Sequence, residues 1–348
     1  MKKTNIAIIG CGVIGPVHAE SFAMNNKVAL VTACDTVRAR AEKMAATFGF
    51  AKTATSPEQV FADPSIDAVS ICTPHYNHAR LCEQALAAGK DVLCEKPIAN
   101  TVEGIELVRK AFRKYPDRIF AGVFQHRYNP VFRTLRELVA DGSFGTPLTA
   151  AVHNRCLRTA DYYNADAWRG TSRYERGGVL INQAIHYLDI FQWVMGGLDP
   201  RAPVHAFKAN RAHKGVIETE DDIAGVVRFA NGAFGTVEAT NAAIVGWDTQ
   251  LDITGTAGYV IVRDGNVEKS QFADPAAAKR LEKAQKAHDT AAGRGVGRSY
   301  YGPGGHPAQI ADFIECVRSR RQPWVTAADA CDAAELVLRL YSAANRQK

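Results

Sequence analysis

The sequence contains no apolar run long enough to cross a membrane. A spanning helix needs roughly 18 consecutive apolar residues, and no stretch of the 348-residue chain approaches that length. Near the start, the apolar segment Ile6–Ile9 ends at a glycine and is too short for the core of a secretory signal peptide. We therefore expect a cytoplasmic protein without a membrane partner.

Paired cysteines are missing as well. The eight cysteines are scattered, and no two of them have the C-x-x-C spacing of zinc and redox sites. They are interpreted as buried thiols in a reducing compartment. The sequence also lacks a Walker phosphate loop, a G-x-S-x-G nucleophile elbow and any internal repeat. These absences argue against a disulfide framework, a P-loop nucleotidase and a serine hydrolase.

Charge of one sign does not dominate the chain. The net charge of +6 comes from 42 basic and 36 acidic residues. The densest basic cluster, Arg318–Arg321, lies in the last turn of a predicted helix, so we interpret it as a solvated helix end and expect no nucleic-acid partner. His75 and His78 form H-x-x-H, but no cysteine or carboxylate pair at zinc spacing accompanies them, and no metal is expected.

Residues 1–125 have the pattern of a dinucleotide-binding domain. Short β-branched runs alternate with helical periodicity, which predicts a doubly wound parallel sheet of the Rossmann type. The strand candidates are Ile6–Ile9, Val28–Cys34, Ala68–Ile71, Asp91–Cys94 and Ile119–Phe124. A helix is predicted to begin at Thr101 and to end before Pro116.

Residues 126–348 are predicted to form a second α/β domain, with a mostly antiparallel sheet, that binds substrate and oligomerises. Its strand candidates are Ala150–Asn154, Ile223–Phe229, Phe234–Ala239, Gln250–Thr254 and Tyr259–Val262. Asn231–Gly232, between two of them, is a strong hairpin signal. Helices are predicted at Val131–Ala140 and Val179–Met195, with two more near the C-terminus. Gly293–Gly305 is the candidate mobile loop.

A glycine motif opens the chain. Six residues match G-x-G-x-x-G between a predicted strand and a predicted helix: Gly10, Cys11, Gly12, Val13, Ile14 and Gly15. The glycines permit a tight turn, close approach of a pyrophosphate and packing of the helix on the strand. Asp35, at the end of the next strand, is placed to accept hydrogen bonds from ribose hydroxyls. Its carboxylate favours NAD, whereas the nearby Arg38 and Arg40 leave NADP open.

Further motifs follow in a fixed order. Cys72–His78 reads C-T-P-H-Y-N-H, Ala88–Val92 reads A-G-K-D-V and Glu95–Pro97 reads E-K-P. In the second half, Gly177–His186 reads G-G-V-L-I-N-Q-A-I-H. The last motif, Gly305–Phe313, reads G-H-P-A-Q-I-A-D-F. In this order the motifs resemble those of the glucose-fructose oxidoreductase, inositol dehydrogenase and MocA family over essentially the whole chain. The resemblance implies an NAD(P)-dependent oxidoreductase.

The resemblance assigns catalytic roles to Lys96, His186 and Asn182. The lysine stands at the end of a parallel strand, where open α/β sheets bind ligands, and the family often has a cis peptide before the next proline. Asn182 replaces a frequent aspartate, so its role shrinks to hydrogen bonding. Asn182, His186 and Asp189 stand at helical spacing and are expected to share one face. Without the resemblance, such a histidine is more often structural, and a strand-end lysine can simply be solvated.

The remaining site residues are also implied by the resemblance. Cofactor contacts are expected from Cys72, Thr73, Pro74, His78, Glu95 and Lys96, with Trp168 and Arg169 near the nicotinamide end. Beside Lys96, Asn182 and His186, the candidates for the substrate wall are Arg127, Tyr128, Tyr163 and Tyr301. Aromatic and arginine side chains suit the faces and hydroxyls of a sugar or a carboxylate, but surface packing explains each of the four almost as well.

These features together predict a dehydrogenase that oxidises a secondary hydroxyl of a sugar, cyclitol or sugar derivative by hydride transfer to NAD, or to NADP. A homodimer or homotetramer is expected. Two alternatives stay open. One is a reductase of a non-sugar carbonyl or a dihydrodiol-type substrate, and the other is a non-catalytic NAD(P)-binding sensor of the same fold.

Overall fold

The computed structural model describes residues 3–293 and 305–346. They form two compact units. The first unit contains the chain up to Gln125 together with Gly305–Asp332, and the second contains the chain from His126 and its end from Ala333. A C-terminal segment therefore belongs to the first unit, whereas the sequence prediction placed everything after residue 125 in the second domain. Apart from its two end glycines, the candidate loop Gly293–Gly305 lies outside the described residues. The candidate substrate-wall residue Tyr301 lies outside them as well.

A six-stranded parallel sheet forms the centre of the first unit, in the order β3-β2-β1-β4-β5-β6. Its elements are β1 Thr4–Ile9, α1 Gly15–Ala23, β2 Val28–Cys34, α2 Arg38–Phe48, β3 Lys52–Ala54, α3 Pro57–Ala62, β4 Ala68–Ile71, α4 His78–Ala87, β5 Asp91–Cys94, α5 Val102–Lys114 and β6 Phe120–Gly122. The predicted Rossmann sheet is confirmed. Three strands, β2, β4 and β5, have the predicted bounds, because residues buried on both faces produce continuous apolar runs.

The strand order reverses beside β1, whose two neighbours are β2 and β4. In open parallel sheets a ligand binds at the carboxyl ends of the strands, at this reversal. The glycine motif follows β1 directly, and the E-K-P segment follows β5. Both motifs therefore lie at the same edge of one sheet.

A seven-stranded sheet forms the second unit, in the order β13-β12-β11-β7-β10-β9-β8. Its elements are α6 Pro130–Ala140, β7 Pro147–Leu157, α7 Ala160–Asn164, α8 Ile185–Val194, β8 His205–Ala209, β9 Asp222–Arg228, β10 Phe234–Thr240, β11 Ala242–Gly255, β12 Gly258–Arg263, β13 Asn266–Phe272 and α9 Pro275–Gly293. Every neighbouring pair is antiparallel except β7 with β10, which is parallel. The predicted mostly antiparallel sheet is confirmed, and so is the hairpin at Asn231–Gly232 between β9 and β10.

The predicted long helix at Val179–Met195 is confirmed, with one difference in its first turns. Leu180–Ala184 forms a π-helical turn, and Ile185–Val194 continues as the α-helix α8. The buried carboxylate of Glu220 accepts hydrogen bonds from the backbone nitrogens of Gly178 and Leu180 at 2.9 and 3.2 Å. These bonds fix the start of the segment. Wider π turns of this kind are frequent at functional sites.

Two helices complete the chain, α10 Gly305–Ser319 and α11 Ala327–Asn345. The basic cluster at the end of α10 is largely exposed, as the sequence suggested, and two of its arginines also form ion pairs. Both terminal nitrogens of Arg320 donate to the Asp91 carboxylate at 2.6 and 3.0 Å, and Arg321 pairs with Asp312. No helix within the described ranges is both long and apolar enough to span a membrane.

A prediction concerns the close contact at Gly178. A Cβ atom there would lie 1.9 Å from the backbone oxygen of Glu220, whereas a Cβ at Gly246 would have no atom within 4 Å. Since backbone cannot rotate away as a side chain can, we expect Gly178→Ala to lower the free energy of unfolding by about 3 kcal/mol. Gly246→Ala should change it by less than about 0.5 kcal/mol. Urea titration followed by tryptophan fluorescence measures both, and equal midpoints for the two variants would refute the explanation.

Candidate active site

The glycine motif forms an open cradle. Gly10 has a φ of 102°, and a Cβ there would lie 2.5 Å from the Cys72 backbone oxygen. A Cβ at Gly15 would lie 2.3 Å from the backbone oxygen of Gly10, but a Cβ at Gly12 would meet nothing within 4 Å. The first and third positions therefore require glycine, because a Cβ atom at either would collide with backbone. The second leaves the space that a pyrophosphate needs.

Asp35 is fixed beside this cradle. Its carboxylate accepts hydrogen bonds from the backbone nitrogens of Cys11 at 2.9 Å and Val37 at 2.8 Å. Arg38 points away into solvent, with its side chain 71% exposed and 3.9 Å from Glu42. A negative group at this position suits ribose hydroxyls and repels a 2′-phosphate. The residues present thus fit an NAD molecule.

The carboxylate of Glu95 is the centre of a buried network. Its Oε1 lies 2.8 Å from His18 Nε2 and 3.4 Å from His306 Nε2, and its Oε2 accepts the backbone N–H of Lys96 at 3.1 Å. The His18 ring also contacts the Ser70 hydroxyl at 2.8 Å. Helix α1, strand β5 and helix α10 therefore meet at one carboxylate. The Lys96–Pro97 peptide bond that follows is cis.

The ionisation of this network follows from burial and pairing. Burial opposes a charge on Glu95, but hydrogen bonds from His18 and His306 outweigh it and hold the pKa of Glu95 well below its usual range. Burial also disfavours an imidazolium at His18, yet Cys72 and Glu95 beside it raise its pKa to about 10. Burial lowers the pKa of His306. The network is therefore an ion pair between His18 and Glu95, with a neutral His306.

The same three residues could hold a metal ion, since their ligand atoms lie within 4.8 Å of one another. The H-x-x-H pair of the sequence, His75 and His78, does not belong to this group. His78 is fully buried, and its two ring nitrogens lie 2.7 Å from the backbone oxygens of Thr73 and Pro97. His78 thus ties the T-P segment to the E-K-P segment. The sequence signal that was missed is His18, one helical turn after Gly15.

In the second unit, Asn182 is held by two neighbours that the sequence did not indicate. Its Nδ2 donates to Glu175 Oε1 at 2.5 Å and to the Tyr162 hydroxyl at 3.2 Å. Glu175 is fully buried and also accepts the backbone N–H of Gly170 at 2.5 Å. Burial raises the pKa of Glu175 to about 7. A titratable carboxylate therefore contacts the asparagine directly.

His186 and Asp189 have other partners. The His186 side chain is 8% exposed, and its ring packs edge to face on His126 at a centroid distance of 5.5 Å. Asp189 accepts two hydrogen bonds from Arg127 at 2.6 and 2.7 Å. His186 thus packs on an aromatic ring, and Asp189 is held by a buried arginine.

Three residues expected to line the substrate wall or to contact the cofactor have local partners. The guanidinium of Arg127 is 2% exposed in its ion pair and lies over the Trp193 ring at 5.0 Å, because a buried charge requires such a partner. Tyr163 is buried, and its hydroxyl accepts a hydrogen bond from Asn241 at 2.6 Å. Arg169 pairs with Asp166 at 3.0 Å and lies over the rings of Tyr162 and Trp168. Arg127 and Tyr163 thus each have a partner within the second unit.

Glu175 generates a prediction about pH. Because its pKa is higher in the folded protein, its contribution to stability is complete below about pH 4.5 and is lost as the pH rises through about 7. Relative to Glu175→Gln, the wild type should therefore lose up to about 3 kcal/mol of unfolding free energy between acidic and neutral pH. Denaturant titrations across this range measure the difference. Glu106→Gln, at an exposed position, is the control. A difference between wild type and Glu175→Gln that does not vary with pH would contradict the assignment.

Two family models match the chain. The oxidoreductase family model with an NAD-binding Rossmann fold matches residues 4–123, and the GFO/IDH/MocA C-terminal domain matches residues 132–261. Among curated relatives, the myo-inositol 2-dehydrogenase of Thermotoga maritima is 26% identical over 73% of this chain and 74% of the relative. The D-glucoside 3-dehydrogenase of Escherichia coli K12 is 30% identical over 71% of this chain and 70% of the relative.

Solved structures agree with the family models. The WlbA dehydrogenase from Bordetella pertussis, in complex with NADH and UDP-GlcNAcA, has a TM-score of 0.89 at 25% identity and covers 100% of this chain and 97% of its own. A levoglucosan dehydrogenase with NADH and levoglucosan has a TM-score of 0.83 at 22% identity, over 100% and 98%. The protein belongs to the GFO/IDH/MocA oxidoreductase family and carries its NAD-binding Rossmann domain.

Proposed function

We propose that this protein is an NAD-dependent dehydrogenase that oxidises a secondary hydroxyl of a sugar, cyclitol or sugar derivative. The observation that carries the proposal is the position of Lys96. It follows strand β5 at the edge of the sheet where the glycine cradle and Asp35 also lie, and its backbone is tied to Glu95. The relatives named above are dehydrogenases of cyclitols and sugars, which supports the substrate class.

The proposed chemistry divides between two side chains. When bound, NAD supplies the acceptor for the hydride that leaves the carbinol carbon. His186 takes the hydroxyl proton as general base and returns it in the reverse direction. Lys96 stabilises the negative charge that develops on the same oxygen.

Asn182 is a positioning residue in this proposal. An amide cannot take a proton, but its Nδ2 is bonded to Glu175 and Tyr162, so its orientation is set before substrate arrives. Pre-set polar groups lower the cost of ordering the reacting atoms. Trp168, Arg169, Thr73 and Pro74 remain proposed cofactor contacts.

We also propose that the protein prefers NAD to NADP and that it works in the cytoplasm. Asp35 accepts hydrogen bonds from Cys11 and Val37 next to the cradle, and this fixed carboxylate favours NAD over NADP. All eight cysteines are buried thiols outside any disulfide, which supports the cytoplasm as a reducing compartment.

We also infer a homodimer or homotetramer that uses the outer face of the second sheet. Three neighbouring strands expose Phe207, Val226 and Phe234 on this face, at 68%, 45% and 60% exposure. Phe234→Glu should reduce the molar mass measured by analytical ultracentrifugation, because a charge opposes burial of the face. Val102→Glu, at an exposed position of the first unit, should not. A wild-type monomer would refute the inference.

Replacement of Lys96 by methionine tests the dehydrogenase. We expect kcat to fall by about 10²- to 10³-fold because the charge on the substrate oxygen loses its partner, while NADH binding persists. The assay follows absorbance of NADH with inositols, hexoses, glycosides, sugar phosphates and nucleotide sugars. Lys110→Met, at an exposed position of α5, is the matched control. Near-normal turnover of the best wild-type substrate by Lys96→Met would contradict the catalytic role of Lys96.

A further inference from the structure

Arg158 lies beside two aromatic rings, just after strand β7. Its guanidinium carbon is 4.8 Å from the centroid of Tyr162 and 4.9 Å from that of Trp247. Its backbone is held too, since its N–H donates to the Asn241 oxygen at 2.8 Å and its oxygen lies 2.7 Å from His213 Nε2. A guanidinium packed against two aromatic rings has fewer accessible orientations than a solvated one. Its orientation is therefore restricted before any ligand binds.

No carboxylate compensates this charge within the described residues, 3–293 and 305–346: Arg158 forms no ion pair there. Its Nη1 donates to the neighbouring Leu157 oxygen at 3.2 Å, and its Nε is buried without an acceptor. Nearby arginines differ, since Arg155 pairs with Glu238 and Asp248, and Arg169 pairs with Asp166. A half-buried guanidinium without a counter-charge is costly unless a ligand supplies one.

Tyr162 connects Arg158 to the proposed substrate site. The hydroxyl of Tyr162 accepts hydrogen bonds from Arg169 at 2.5 Å, from Asn182 at 3.2 Å and from Gln183 at 3.3 Å. The Oε1 of Gln183 is buried and has no donor. An unused donor on Arg158 and an unused acceptor on Gln183 thus both lie beside one tyrosine. A ligand that carries both an oxyanion and hydroxyl groups satisfies the two together.

We propose that Arg158 binds an anionic group of the substrate, so that the sugar accepted by this site carries a carboxylate or a phosphate. The inference rests on the proposed dehydrogenase function and specifies its substrate class. Planar guanidinium donors match the oxygens of carboxylates and phosphates in a way that a neutral hydroxyl does not. The Oε1 atom of Gln183 accepts a hydrogen bond from a hydroxyl of the same sugar.

The test compares matched sugars. Glucuronate, galacturonate and gluconate form the carboxylate arm, glucose 6-phosphate forms the phosphate arm, and glucose and galactose are the neutral reference, each with NAD. In the wild type, one anionic arm should exceed the neutral reference in kcat/KM. Arg158→Gln should lower kcat/KM for that arm by about 10- to 100-fold, chiefly through KM, because a charge-assisted hydrogen bond is lost. For the neutral reference the change should stay below about threefold.

Two further variants separate binding from folding. Arg158→Lys keeps the charge but not the planar fork and should fall between the wild type and Arg158→Gln. Arg173→Gln removes an exposed arginine that lies over a single ring, that of Tyr174, and should match the wild type. Melting temperature and NADH affinity report whether each variant is folded.

Calorimetric titration of gluconate, glucose 6-phosphate and glucose into the NADH-loaded protein gives a readout without turnover. Saturable binding of an anion that is weakened in Arg158→Gln supports the inference even if no sugar is oxidised, in which case the dehydrogenase proposal fails alone. Equal use of neutral and anionic sugars by the wild type, with a Lys96-dependent rate, overturns the role of Arg158 and leaves the dehydrogenase standing. A uniform loss for all sugars in Arg158→Gln also overturns it.

Discussion

The buried pair of His18 and Glu95 is the interaction on which the first unit depends. A carboxylate with 5% exposure is stable only because an imidazolium and a second histidine surround it. The three side chains come from α1, from the end of β5 and from α10, so the pair fixes the position of each element relative to the sheet. The backbone N–H of Lys96 is bonded to the other oxygen of the same carboxylate. The position of the lysine is therefore a consequence of a charge pair in the protein interior.

The second unit uses buried carboxylates in a similar way. Glu220 accepts hydrogen bonds from the backbone nitrogens of Gly178 and Leu180, and from the Tyr341 hydroxyl at 2.6 Å. Glu175 accepts a hydrogen bond from the side chain of Asn182. Burial raises the pKa of both glutamates. The segment before His186 is thus held by two glutamates whose burial disfavours the charged form. The π turn lies between these two glutamates in the sequence.

Sequence alone predicted the features that depend on neighbouring residues. Strands buried on both faces, the glycine motif and the Asn231–Gly232 hairpin all follow from local composition. Strands β8 and β13 were missed because they lie at sheet edges and are largely exposed, so they lack apolar alternation. The partners in the site were missed for a different reason. His306 contacts Glu95 across 211 positions of sequence, and no local pattern reports such a pair.

The return of Gly305–Asp332 to the first unit has a consequence for the order of synthesis. The β6 edge is completed by Gln309, which accepts the backbone N–H of Phe124 at 3.1 Å and donates to the Gly122 oxygen at 2.7 Å. His306 joins Glu95 from the same helix. On the ribosome, the first residues to emerge must wait for nearly the last before their sheet is closed. The dinucleotide-binding unit is thus begun first, but it is completed only after most of the second unit has been synthesised.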